Sequence, residues 1–287
     1  MKRKIRGHAA LALLAFVGMP AFGQYGPPPS FRPEELDGLV GRIALYPDPL
    51  LAHILTAATY GDQIPGAASW ASGHRYLSGE ALARAITDDR LPWDYSVQAL
   101  LPFPNVLDMM AGDMGWTQQL GNAVLADRAG VMDAVQRMRR QALDNGYLKS
   151  SPEERVVVDN YGQIQILPAQ EGYYYVPVYD PRVVYVRPRP GIRIGIGITF
   201  GPRIFLGAAF APYGWAGPGF DWRAHTVIID RRPWERTWAN RARYQHRYAA
   251  PPPRPAGPRV ERHEREVKDH GERGRGKGKD QGRGRER

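Results

Sequence analysis

Ile43-Ala44-Leu45-Tyr46-Pro47-Asp48-Pro49-Leu50-Leu51 sets one aspartate between two prolines, with apolar residues on either side. Each proline withholds helical geometry from the residue before it, so a helix ends near Leu45. Pro49 has a fixed φ and no N–H to lose, which suits the first position of a new helix. Asp48 is then placed as the N-cap, with its carboxylate accepting orphan backbone N–H groups. The stretch reads as a rigid elbow between two packed helices.

Working outward, apolar residues recur at helical spacing on both sides of the elbow. Leu36, Leu39, Val40 and Ile43 precede it, behind an acidic first turn of Glu34, Glu35 and Asp37. Leu50, Leu51, Ile54, Leu55 and Ala58 follow it. A third helix is predicted over 65–72 around Trp70, and Ser78 caps a fourth with Leu82 and Ile86 inward. Trp93-Asp94 repeats the elbow logic: Asp94 caps a helix carrying Val97, Leu100 and Leu101, which Pro102 and Pro104 stop. Asn105 caps the next, with Val106, Met109 and Met110. Trp116, Leu120, Val124 and Leu125 form a further apolar face. Val131, Met132, Val135 and Met138 form the last, where Arg137, Arg139 and Arg140 oppose the helix dipole before Asn145-Gly146 ends it.

Beyond Lys149 the period changes to two. Val156 to Val158, the turn Asp159-Asn160-Tyr161-Gly162, and Ile164 to Leu167 read as strand, turn, strand. Tyr173 to Val178 and Val183 to Val186 are two more extended runs. The expected fold class is α+β, divided as follows: a signal peptide over 1–23, a disordered linker over 24–33, a compact multi-helix domain over 34–148, and a small antiparallel β-sheet packed on the helices over 149–186. A Gly/Pro/aromatic-rich segment follows over 187–230, then a basic-aromatic segment over 231–248 and a disordered basic tail over 249–287. Gly191 to Ile198 alternates cleanly, and the uncharged run from Ile204 to Phe220 is broken by prolines and glycines. That favours a connector, or a loop that touches a lipid surface, over a membrane-crossing helix.

The elbow, together with Leu91-Pro92-Trp93-Asp94, Ala99-Leu100-Leu101-Pro102-Phe103-Pro104, the run Gly115 to Gly121 and Tyr175-Val176-Pro177-Val178-Tyr179-Asp180-Pro181, resembles a bacterial envelope family known as domain of unknown function 3300. The resemblance runs from about Leu36 to Tyr185. It implies no activity, ligand or catalytic residue.

Lys2, Arg3, Lys4 and Arg6, an apolar run from Ala9 to Val17, and Ala21-Phe22-Gly23 are the parts of a secretory signal. The expected location is the periplasm or cell envelope. The chain has no cysteine, which excludes disulfides, thiolate metal sites and a catalytic thiol. Of the net charge of +10, residues 24–150 hold 10 basic and 14 acidic side chains, whereas residues 171–250 hold 12 and 5. The mature front is acidic and the back is basic.

No catalytic residue, metal ligand or cofactor is assigned. Asp48, Asp94, Asp108 and Asp113 lie nearest the motifs, and helix capping accounts for the first two. His53, His74, His225, His246, His263 and His270 show no compact ligand spacing. Structural roles fall to Tyr46, Pro47, Asp48, Pro49, Trp93, Asp94 and Trp116. Contact with an anionic envelope surface or an acidic envelope protein falls to Arg231, Arg232, Trp234, Arg236, Trp238, Arg241, Arg243, Tyr244, Arg247 and Tyr248, because guanidinium forks recognise phosphates and carboxylates and rings favour an interface. The Arg/Gly tail has the composition of a nucleic-acid-binding arm, but export argues against that partner. The leading expectation is an exported, non-catalytic scaffold or binding protein with peripheral membrane contact. Two alternatives stay open: an envelope hydrolase using carboxylates near Tyr46 to Asp48, and an assembly protein that pairs through Gly-rich strands.

Overall fold

The structure, a computed structural model, describes residues 26–188 and 197–242. The expected signal peptide, the alternating run 191–196, the residues Arg243, Tyr244, Arg247 and Tyr248, and the tail lie outside the described residues. Helix α1 (Pro33–Val40) opens with proline at its first position. Glu35 closes back on Arg32, accepting from its backbone N–H at 2.8 Å and from its guanidinium at 2.9 Å. Leu36, Leu39 and Val40 face the core.

Helix α2 (Asp48–Ala58) is buried along its whole length, not along one stripe. Even its polar members are enclosed: the Thr56 hydroxyl donates back to Ala52 O at 2.9 Å, and the His53 ring lies tilted against Trp215 at 4.5 Å. Burial holds His53 neutral, with its pKa lowered to about 3. A helix apolar on all sides needs neighbours on all sides. Of the helices α3 (Ile64–Gly73), α4 (Gly79–Asp88), α5 (Tyr95–Gln98), α6 (Pro104–Gly112), α7 (Met114–Ala126) and α8 (Arg128–Asp144), α5 and α7 pack most closely on it, and they cover it only in part. Aspartates set three of their starts. Asp94 accepts from Ser96 N, Asp113 from Trp116 N and Asp127 from Gly130 N, at 2.9, 3.0 and 2.9 Å. Two expected caps do not form: Ser78 makes no side-chain cap bond, and Asn105 lies inside α6, where it accepts from Arg75.

Strands β1 (Glu154–Val158) and β2 (Ile164–Pro168) form the expected antiparallel hairpin, with Val156 opposite Ile166. Asp159 folds its turn by accepting from Tyr161 N and Gln163 N. The later strands differ from the single sheet expected over 149–186. Strand β3 (Tyr173–Tyr174) pairs with β6 (Ile204–Phe205), and β4 (Pro177–Tyr179) pairs with β5 (Ile198–Phe200), so their partners come from the Gly-rich segment. The expected strand at 183–186 is also corrected. Pro181–Val184 is a short helix, α9, because Asp180 caps it at Arg182 N and Pro181 takes its first position. The last sheet is the meander β7 (Phe220–Asp221), β8 (Thr226–Ile229) and β9 (Arg232–Pro233).

The connector reading therefore fails for residues 197–230. Phe210, Tyr213, Trp215, Phe220, Trp222, Val227 and Ile229 are all buried, in one core with the helices. They close the side of α2 that the other helices leave open. No helix among the described residues is long and apolar enough to cross a membrane.

Two glycines allow the close approaches. A Cβ on Gly121 would stand 2.1 Å from Ala58 O, where α7 crosses α2. Gly219 has φ +84°, and its Cβ would stand 2.6 Å from Asp48 O. Gly121→Ala and Gly219→Ala should each cost about 1–3 kcal/mol or more in urea unfolding. Gly38→Ala, in open space on α1, should be neutral or stabilising by up to about 1 kcal/mol.

Candidate functional site

Asp48 is not a cap. The chain does turn into α2 at Pro47, but no side chain caps that helix. The Asp48 carboxylate points into the core instead and meets Arg139 Nη1 at 2.7 Å. It also accepts from Trp222 Nε1 at 2.9 Å and from Ile166 N at 3.3 Å. Arg139, read from the sequence as opposing the dipole near the end of α8, has no exposed side-chain surface. Its Nε donates to Ala44 O, Nη1 to Ile164 O and Nη2 to Tyr46 O, at 2.8, 2.8 and 3.0 Å, and it lies 4.9 Å from the Trp222 ring centre. One guanidinium thus binds the carbonyls on the near side of the elbow and the carboxylate on the far side. Burial pushes the Asp48 carboxyl upward, and Arg139, Trp222 and Ile166 pull against that shift.

The other elbow residues have structural settings too. Asp94 is buried and caps α5, and Gln63 Oε1 accepts from its backbone N–H at 2.6 Å. Trp93 packs on Gly66, and the Trp116 indole donates to Leu39 O at 2.9 Å.

The basic-aromatic segment needs correction. Trp234 is completely buried beneath the Arg128 guanidinium, 4.8 Å from its ring centre. Arg236 is buried as well: it donates to Thr59 O at 3.0 Å and lies 3.9 Å from the Tyr60 ring centre. Half-buried Trp238 donates to Gly26 O, and Arg241 lies over its ring. Neither Trp234 nor Arg236 presents a surface to an outside partner. Arg231 and Arg232 are exposed, and Arg232 pairs with Asp230.

A large cleft of about 1490 Å³ is the candidate site. Three of the motif stretches quoted above form its walls. Tyr46 comes from the elbow, 101–104 from the Leu-Pro-Phe-Pro run, and 176–181 from the Tyr-to-Pro run. Tyr179 fixes the last of these to the first. Its hydroxyl donates to Gly41 O at 3.1 Å and accepts from Leu45 N at 3.3 Å. The Tyr185 hydroxyl donates to Gly41 O at 3.0 Å. Burial holds these phenols protonated: Tyr46 is pushed up to about 12, and Tyr179 and Tyr185 are raised as well. The tyrosines therefore offer the cleft rings rather than reactive hydroxyls.

Sequence reasoning missed the cleft's charged rim. Arg42 pairs with Asp113 at 2.9 Å, Arg75 with Asp108, and Arg182 with Asp180 at 3.0 Å. Arg203 lies 4.7 Å from the Tyr173 ring centre, with no ion pair among the described residues. The two lining carboxylates, Asp37 and Asp180, are both ion-paired, and neither Asp48 nor Asp94 lines the cleft. Among the described residues no group of three or more His, Asp or Glu could hold a metal ion.

The chain belongs to a family described as protein of unknown function (DUF3300), whose model matches residues 32–250. The match reaches well past Tyr185, where the motif resemblance stopped, and takes in the returning segment. The chain is 33% identical over 187 residues to the uncharacterized protein YacH of Escherichia coli (strain K12), a match that spans 54% of this chain and 30% of that protein. No solved structure matches it.

Two consequences follow for the buried charges. Asp48→Asn or Arg139→Met alone leaves a buried charge or its carbonyl partners unmatched, and each should cost about 3–5 kcal/mol in denaturant unfolding. The double variant should cost clearly less than the sum of the two. Glu154, which is 2% exposed, has an Oε2 without a hydrogen-bond partner. Burial raises its pKa from 4.5 to about 8, against the pull of Arg139 and with a push from Glu153. Between those values the fold holds a proton that the unfolded chain releases, so stability falls as pH rises through that window. Glu154→Gln should flatten that slope, matching the parent near pH 5 and exceeding it near pH 8 in thermal unfolding.

Proposed function

We propose that this chain is an exported cell-envelope protein that binds rather than catalyses, and that the cleft is its binding site. The observation that carries the reading is the convergence of stretches around 46, 101–104 and 176–181 on one apolar cleft. Its volume exceeds the roughly 300–1,000 Å³ of ordinary small-molecule pockets. The basic start, the apolar run and the small-residue site over 1–23 support export. A hydrolytic reading would need a free carboxylate in the cleft, whereas Asp37 and Asp180 are engaged by arginines and Asp48 is enclosed behind the elbow. Exposed Arg231 and Arg232 remain suited to an anionic envelope surface, a lesser contact than the ten-residue patch expected from the sequence.

Fractionation of a producing cell should place the protein in the envelope with its N-terminus near residue 24; cytoplasmic retention of the intact chain would overturn export. An apolar fluorescent dye such as N-phenylnaphthylamine should brighten on binding. Met109→Arg and Val176→Arg, both at partly buried lining positions, should abolish that signal without altering the circular dichroism. Undiminished dye binding by both variants would mean that the cleft is not the site.

A further inference from the structure

Resting on that reading, we infer that the cleft takes an acyl chain of an anionic membrane lipid, with the lipid phosphate on Arg203. The walls supply Leu77, Leu101, Phe103, Met109 and Val176, and Tyr179 and Tyr185 spend their hydroxyls on Gly41 and Leu45. An extended polypeptide needs donors and acceptors along its groove, whereas a hydrocarbon chain needs none.

The charge at the cleft points the same way. Arg42, Arg75, Arg182 and Arg203 line the cleft against only Asp37 and Asp180. Three of the four arginines already hold a carboxylate. Arg203 is exposed and rests on Tyr173, so its fork is open to a phosphate.

Exposed apolar side chains accompany the cleft. Val178 and Phe205, which line the cleft, are 59% and 50% exposed. Tyr76 stands between lining residues Arg75 and Leu77, and Val183 and Val186 each follow one; all three are exposed. Exposed apolar side chains and an exposed guanidinium at one cleft match a bilayer interface, where hydrocarbon and anionic headgroups are met together.

The test is displacement of the bound dye from the purified protein by monomeric short-chain lipids. Dihexanoyl phosphatidic acid should displace it at about tenfold lower concentration than dihexanoyl phosphatidylcholine, the difference expected of one charge-assisted contact. Inorganic phosphate alone should not displace it. Arg203→Gln, at an exposed position, should erase the preference, with displacement by each lipid referred to that variant's own dye affinity. Equal displacement by the two lipids, an unchanged preference in Arg203→Gln, or stronger displacement by an acidic proline-rich peptide would overturn the lipid assignment and leave the cleft a binding site. Failure of the parent protein to bind the dye would instead remove the binding reading and the lipid with it.

Discussion

The Arg139 guanidinium, seated against Asp48 and the carbonyls of Ala44, Tyr46 and Ile164, joins elements that have no other reason to meet at one point. It ties α8 to the elbow, to the start of α2 and to β2. Trp222, from the returning segment, closes the group by donating to the same carboxylate. Desolvating both charges is costly, and the arrangement is tolerable only because the donors and acceptors around them are matched. A buried pair of this kind contributes more to register than to net stability: a shifted elbow would strand a charge in the core. The two prolines set the local bend, and the ion pair sets where that bend sits.

The second constraint is that α2 is buried on every side. The surrounding helices leave part of it open, and the aromatic residues of 197–242 complete the enclosure. In this light the Gly- and Pro-rich composition of that segment serves packing. Gly219 lets backbone approach backbone at Asp48, and Gly214, with φ +88°, lies against His53 and Ile229. Trp215 stacks on Phe103 and donates to Ala99 O, so the same segment also supports the floor of the cleft. The cleft is a product of the fold: its near wall is fixed by the elbow, its far wall by Tyr179 and Tyr185, and its rim by strands that pair with the returning segment.

This arrangement separates the charges into two populations. Arg139, Asp48 and Asp94 are enclosed and hold elements in place. Arg42, Arg75, Arg182 and Arg203 stand around an apolar opening. The proposed lipid-binding role draws on the second population, while the first keeps the walls from drifting. The family shares no established activity, so the chemistry of the opening carries the functional argument.

The helical stretches, the caps at Asp94 and the stop at Asn145-Gly146, and the β1–β2 hairpin were legible in the sequence, because each depends on residues a few positions apart. Local spacing decides which face is apolar, where a carboxylate meets a nearby N–H and where a turn closes. The role of Asp48 was not legible: capping and a long-range ion pair use the same residue type, and only the position of Arg139, on α8, distinguishes them. The same limit applies to Trp234 and Arg236, whose composition fits a surface patch while their packing encloses them. The cleft was out of reach for the same reason, since its walls come from stretches far apart in the chain. The amino-acid sequence by itself determined the elements and their ends through short-range sterics and hydrogen bonding. The tertiary structure alone decided which charges are buried, what covers α2 and where a ligand could enter, because those depend on groups brought together only when the chain closes on itself.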